Sequence, residues 1–263
     1  YLEGQGVLAP HKRWYYAGLH EMFLAEGLLS NSESSRQEAI TYLGFDPGKV
    51  TNIQAGISPL FRPPALAEDE VTVRLARYGI EAPYILFVGA GDLRKNEQGF
   101  IEAYARLPAD LRALHQLVLV GHVDEGRLHR ALAASGTPPE NLRIIPFVQE
   151  DDLPVLYGHC AVFVFPSLHE GFGLPAAEAM ACGAPVIASN TSSLPEVVGL
   201  DEALFDPTQP AEIARCMAWV LRDPGVRKRL SAHGLQQARR FTWEACADRA
   251  WDALEQIQDR RVR

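Results

Sequence analysis

The sequence has no apolar run approaching the roughly 20 residues that a membrane-spanning helix needs. Cysteine is scarce. Cys160, Cys182, Cys216 and Cys246 stand far apart without a CxxC pair. That pattern suggests neither a zinc ribbon nor a redox dithiol and fits buried free thiols in a reducing compartment. An excess of positive charge is also missing. Lys+Arg 25 against Asp+Glu 33 gives a net charge of −8, which argues against a general nucleic-acid binder, whose affinity rests on neutralising phosphates. A small anionic ligand met by a few local cations remains open. No internal repeat or low-complexity segment is visible. What is present is ordinary for a globular chain: 263 residues, 47% apolar and 22% charged, enough for a sizeable core.

Short apolar runs alternate with helical patterns along most of the chain. "YILFVGAG", "HQLVLVG", "LRIIPFV", "AVFVFPS", "PVIAS" and "ALFDP" read as strands. Between them, "EQGFIEAYARL", "DEGRLHRALAAS", "EDDLPVLYGHC", "SSLPEVVG" and "PAEIARCMAWVL" read as helices. Strands apolar throughout and separated by helices predict an α/β fold, a Rossmann-like doubly wound parallel sheet over residues 61–240. Ahead of it, residues 27–56 read as strand, helix, strand, with Asn31 or Ser32 as helix cap. Behind it, residues 241–263 read as one amphipathic helix. Thr242 caps it, and Trp243, Ala247, Ala250, Trp251, Leu254 and Ile257 form an apolar face expected to pack on a core.

In such a sheet, ligands bind beyond the carboxyl ends of the strands. Three loops lie there. "GAGDLRKN" offers Gly89 and Gly91 for close backbone approach, then Arg94 and Lys95 at a helix start. The same residues also read as a glycine turn with solvated charges. A dinucleotide fingerprint would need a glycine where Arg94 stands. In "FVQEDDLPVLY", Asp151 and Asp152 read as acids favouring the positive end of a helix. The third loop, "FPSLHEGFGLPAAEAMACGAP", places Gly171 and Gly173 around Phe172 so that backbone amides can face outward. Pro175 suits the first helical turn and Gly183 its end. Glu178 lies about one turn inside that helix, suited to accept hydrogen bonds from a sugar diol, and Glu170 sits at the loop entrance. Two unrelated acids, one favouring a helix N-terminus and one on a solvated face, would leave the same letters.

"EGFGLPAAE" resembles the E-x7-E motif of the retaining, GT-B-fold glycosyltransferases of family GT4. "LSNSESSRQEAI", "VTNIQAGISPLFRP", "FVGAGDLRKN", "FVQEDDLPVLYGHCAVFVFPS", "PVIASNTSSLPEVVG" and "FTWEACADRAW" are similar to further segments of that family, in the same order, from about Leu28 onward. Where many members carry arginine directly after the glycine of the phosphate loop, this sequence has Ala90.

The resemblance implies the C-terminal, donor-binding half of a GT-B enzyme that transfers a hexose from a nucleoside-diphosphate sugar, with retention, to a glycan or lipid-linked acceptor. GDP-mannose and bacterial polysaccharide assembly are the implied setting. Glu178 would accept from the ribose and Glu170 would contact the transferred sugar as the catalytic group. Arg94 and Lys95 would neutralise the diphosphate beside Gly89 and Gly91. The amides of Gly171, Phe172, Gly173 and Leu174 would hold the distal phosphate and sugar, and Phe147 and Val148 would line the base pocket. His169 and Gly56 are further candidates. For His169 and His122 a hydrogen-bonded or solvated role is the expected one, because isolated histidines rarely act without a partner.

No metal and no other cofactor is implied. Residues 1–60 would be the remnant of an N-terminal acceptor domain and crossover, the rest of which is expected upstream of Tyr1. The terminal helix would pack back towards it. The implied location is cytoplasmic, with at most peripheral membrane association. Other readings compete: a non-catalytic nucleotide-sugar-binding module, an NAD dehydrogenase, and a related sugar-nucleotide enzyme of the same fold, an epimerase or a phosphorylase. A phosphorylase needs a pyridoxal-phosphate lysine, and none of Lys12, Lys49, Lys95 and Lys228 sits in a recognisable site.

Overall fold

The computed structural model describes residues 18–81, 83–90, 92–122 and 141–262. Gly91 and the helix expected over 124–135 lie outside these residues. Leu28–Ser30 (β1) and Val50–Asn52 (β2) pair in parallel, joined through helix Glu33–Leu43 (α1). Ser32 caps α1 by accepting from the Ser35 amide, and Gly44 ends it in the left-handed region. A crossover leads to helix Glu68–Ala76 (α2).

The main domain then unfolds in alternation. Strand Tyr84–Ala90 (β3) is followed by helices Glu97–Ala105 (α3) and Ala109–Leu114 (α4). Next come strands Gln116–Gly121 (β4) and Leu142–Ile145 (β5), helix Leu153–His159 (α5) and strand Val162–Phe165 (β6). Helix Leu174–Ala181 (α6), strand Val186–Ser189 (β7), helix Leu194–Val198 (α7) and strand Leu204–Phe205 (β8) complete the sheet region. Helices Pro210–Arg222 (α8), Pro224–Ala238 (α9) and Trp243–Val262 (α10) close the chain.

Six strands form one sheet in the order β5-β4-β3-β6-β7-β8, every neighbouring pair parallel. Ile85, Leu86, Phe87, Leu117, Val118, Leu119 and all of β6 are fully buried, as strands covered on both faces must be. α3 packs with α8, and α6 with α9. The chain starts in the middle at β3, moves outward to β4 and β5, then returns to the other side of β3 with β6. The direction of winding therefore reverses between β3 and β6. That crevice is where an open parallel sheet binds its ligand.

Two expectations are corrected. Asp152 does not cap α5: its side chain makes no capping bond. It is buried, accepting from the Tyr78 hydroxyl at 2.8 Å and pairing with Arg74 at 3.2 Å. A buried carboxylate needs a cation more than a helix end needs an acid, and here α2 supplies the cation, Arg74, and the turn just after it the hydroxyl, Tyr78. Nor, among the described residues, is the wide apolar face of α10 largely buried. Trp243, Trp251 and Leu254 are exposed, while the small Cys246 and Ala253 are buried. The helix is held by polar reach instead. Arg249 donates to the Ile53 carbonyl and Arg260 to the Gly48 carbonyl. Thr242 does cap it, accepting from the Ala245 amide at 3.1 Å. The four cysteines are free and buried.

Candidate functional site

Two loops meet at the switch point. The loop after β3 runs through a short 3-10 turn, Leu93–Lys95, and the loop after β6 runs from Pro166 to Gly173. They are tied together across the crevice. The Leu168 amide donates to the Arg94 carbonyl at 2.7 Å. The Lys95 ammonium pairs with Glu170 at 2.7 Å and lies 4.8 Å from the Phe165 ring centroid. Both side chains of this pair are mostly buried, so the pair is weakly screened. Arg94 points elsewhere. Its exposed guanidinium pairs with Asp92 at 2.7 Å. Asp92 also accepts from the Arg94 amide, and these contacts hold its carboxyl below the ordinary value.

The backbone of the second loop presents free amides. Among the described residues, the amides of Gly171, Phe172, Gly173 and Leu174 donate to no protein group. They stand at the N-terminus of α6, where free amides and the helix dipole favour negative charge. Gly173 has φ +99, and a Cβ there would come 2.6 Å from Leu194 Cδ2. Only glycine fits both that conformation and that gap.

Four carbonyls of the same loop, those of Ser167, Leu168, Glu170 and Phe172, accept from hydroxyls of the loop after β7. Ser193 Oγ donates to the Phe172 carbonyl at 2.8 Å and to that of Glu170 at 3.1 Å. Ser192 Oγ accepts from the Glu170 amide at 2.9 Å. Thr191 Oγ1 bridges to the carbonyls of Ser167 and Leu168. Sequence reasoning missed these buttresses. The signal was "NTSS", a hydroxyl cluster directly after a strand.

Glu178 faces the crevice from α6. Burial pushes its carboxyl up to about 7, against the Tyr157 hydroxyl and the Lys95 ammonium, which pull it down. Tyr157 itself is wholly buried, and its hydroxyl lies 3.2 Å from Glu178 Oε2.

The remaining candidates divide. Phe147 is exposed after β5, free to meet a flat ligand face, but Val148 is part of the core, so only its backbone can line a base pocket. His169 turns away, its Nε2 at 2.8 Å from Glu38 of α1. His122 is exposed. Gly56 is not brought to the site: it lies against the backbone of Thr242 and Trp243, where the two crossovers touch.

α1 closes one side of the second loop. Ser35 Oγ donates to the Gly171 carbonyl at 3.0 Å. The Glu196 carboxylate of α7 accepts from the Glu33 and Ser34 amides at 3.1 and 2.9 Å.

A helix N-terminus with free amides, a mostly buried Lys–Glu pair and a second glutamate thus share one switch point. The glycosyl transferases group 1 family matches residues 77–237. The chain belongs to that family. It is 35% identical over 252 residues to the serotype-specific mannosyltransferase WbdA of Escherichia coli, covering 94% of this chain and 31% of WbdA. It is 34% identical to the O-antigen chain mannosyltransferase B of the same species, covering 92% of this chain and 64% of that protein. The chain thus spans less than two thirds of either relative. In fold it is similar to Anabaena HepE in complex with UDP and glucose. That likeness has TM-score 0.77 at 20% identity and covers 91% of this chain and 67% of HepE. The doubly wound parallel sheet of a GT-B C-terminal half is therefore the fold of this chain. Among the described residues, no helix is long and apolar enough to cross a membrane.

Proposed function

We propose that this chain forms the donor-binding half of a retaining hexosyltransferase acting in polysaccharide assembly, with mannose from GDP-mannose as the first donor to test. The acceptor in this reading is a glycan or a lipid-linked glycan, contributed to by residues outside the chain. One observation carries the proposal: four backbone amides without protein acceptors at the α6 N-terminus, beside Lys95 and Glu170. The mannosyltransferase names of the relatives support the sugar, and the UDP and glucose named for HepE support a nucleoside-diphosphate donor.

In this reading the amides of Gly171, Phe172, Gly173 and Leu174 take the distal phosphate, and Lys95 balances its charge. Arg94 exchanges Asp92 for the diphosphate. Glu178 accepts from the ribose hydroxyls, and Phe147 lies against the base. Glu170, held by Lys95, contacts the transferred sugar. Donors fixed before the reaction stabilise the charge that develops on the departing diphosphate without reorganising, which is the usual large term in such catalysis. The reading calls on no metal.

The test is thermal unfolding of the chain with GDP, UDP, ADP and NAD, for the wild type and Glu178→Ala. A ligand at 100 times its dissociation constant stabilises the native state by about 2.7 kcal/mol. Stabilisation by one nucleoside diphosphate, lost in the variant, is the expected result and names the base. Stabilisation by NAD alone would overturn the proposal. Binding without any transfer in the longer protein would recast the chain as a nucleotide-sugar-binding module.

A further inference from the structure

We propose that Tyr157 is the positioning residue of the ribose site: its hydroxyl, 3.2 Å from Glu178 Oε2, fixes one carboxylate oxygen and leaves the other to the sugar diol. The inference rests on the reading of Glu178 as the ribose acceptor. Among the described residues, the Tyr157 hydroxyl is the one hydrogen-bond donor to the Glu178 carboxylate.

The arrangement is rigid from the tyrosine side. Tyr157 stands on α5, fully buried, with its ring edge-on to Phe163 at 5.3 Å and to Phe61 at 6.1 Å. The ring cannot swing, so the hydroxyl is a fixed point in the floor of the crevice. Burial holds its phenol well above the ordinary value, so it donates throughout the working pH range. A buried hydroxyl aimed at a carboxylate stabilises the charged form, and charge is what a diol-binding carboxylate needs.

Three groups act on Glu178. Tyr157 approaches from α5 and Lys95 from the loop after β3, and both favour its ionised form. Cys182, the C-cap residue just past α6, is a buried thiol whose own value is raised to about 12, so it stays neutral. Lys95 is already engaged by Glu170. That leaves the tyrosine as the contact dedicated to Glu178.

The experiment uses Tyr157→Phe, which keeps both ring contacts and removes one oxygen, and Glu178→Gln, which keeps an acceptor but cannot ionise. The first readout needs no ligand: the carbon-13 signal of the Glu178 carboxyl is followed against pH in the free chain. In Tyr157→Phe its midpoint should rise by about one pH unit, the effect of losing one hydrogen bond to a charged group. The second readout is the dissociation constant of GDP-mannose and UDP-glucose against pH. These ligands carry no group that titrates near neutrality. Wild-type binding should strengthen as pH rises through the Glu178 midpoint. Tyr157→Phe should need a higher pH for the same affinity, and Glu178→Gln should show no such step. An unmoved Glu178 midpoint in Tyr157→Phe would overturn the positioning role. A moved midpoint with binding indifferent to it would instead overturn the ribose reading, and the inference with it.

Discussion

Glu178 is a carboxyl that the native chain keeps partly protonated at neutral pH. Its ordinary value near 4.5 is pushed to about 7 by burial. Between those two values the folded chain binds the proton more tightly than the unfolded chain. Stability contributed by this group is therefore present below about pH 4.5 and is lost as pH rises through 7. Each pH unit in that window is worth about 1.4 kcal/mol, so the loss totals on the order of 3 kcal/mol. Glu178→Gln carries no such loss. Relative to the wild type it should gain stability from pH 5 to pH 8, by roughly that amount, in denaturant unfolding at each pH. A difference constant with pH would mean that the carboxyl is solvated. Lys95 makes the opposite kind of test. Lys95→Met leaves Glu170 buried without its cation and removes a charge from beside the proposed phosphate site. Nucleoside-diphosphate affinity should fall by about tenfold or more, the worth of one charge-assisted hydrogen bond, as read by calorimetry. An unchanged dissociation constant would move the diphosphate to other residues. Glu170, Glu178 and Lys95 were legible in the sequence because strand ends and glycine spacing mark them. Tyr157, Asp92 and Ser193 were not, because a hydroxyl or a carboxylate acquires its role only from what folding places opposite it.

At the scale of elements, the loop after β6 is shaped by its neighbours more than by its own letters. The loop after β7 holds its carbonyls, and α1 covers its edge. α1 is in turn anchored at its first turn by a carboxylate from another element. Ser32 satisfies the Ser35 amide, and Glu196 satisfies those of Glu33 and Ser34. This is an N-terminal cap assembled from two distant parts of the chain. Glu196→Ala should cost about 1 kcal/mol of stability, the usual worth of a cap, and Glu196→Gln should recover part of it. Faster amide exchange at Glu33 and Ser34 in the alanine variant would locate the loss, and unchanged exchange there would show that the cap lies elsewhere. The alternation of apolar runs made the six strands of the sheet legible. α2, α4 and α9 were not read as separate elements. α2 is largely exposed with Val71 as its one buried residue, and α9 follows α8 with only the capping Asp223 between them, so the sequence shows no gap.

For the whole molecule, the decisive contact is between two crossovers. The segment leading from β2 towards α2 and the segment leading from α9 to α10 run side by side. The Ile57 amide donates to the Phe241 carbonyl at 3.0 Å, and Ile57 bridges Thr242 in parallel. The N-terminal β1-α1-β2 unit and the terminal helix α10 are thereby locked to one point. α10 needs this lock because its broad apolar side, with Trp243 and Trp251, is not buried against the described residues. The sequence pattern suggested core packing for that side, since periodicity reports that a face is apolar and not what it meets. Gly56 sits inside the lock. A Cβ at this position would come 2.5 Å from the Trp243 nitrogen and 2.7 Å from the Thr242 carbonyl carbon. Those are backbone atoms, so no rotamer change can relieve the clash, and the crossovers would have to separate. Gly56→Ala should therefore destabilise the chain by roughly 1–3 kcal/mol, the range for forced overpacking. Gly48→Ala is the control. Its Cβ would approach only Asp46 Oδ1, at 3.4 Å, and the residue is exposed, so its effect should stay within about 0.5 kcal/mol. Equal urea midpoints for the two variants would mean that the crossovers do not touch at Gly56. A large loss confined to Gly56→Ala, with nucleoside-diphosphate affinity unchanged, would place this glycine in the frame that holds α10 and α1 together and outside the donor site.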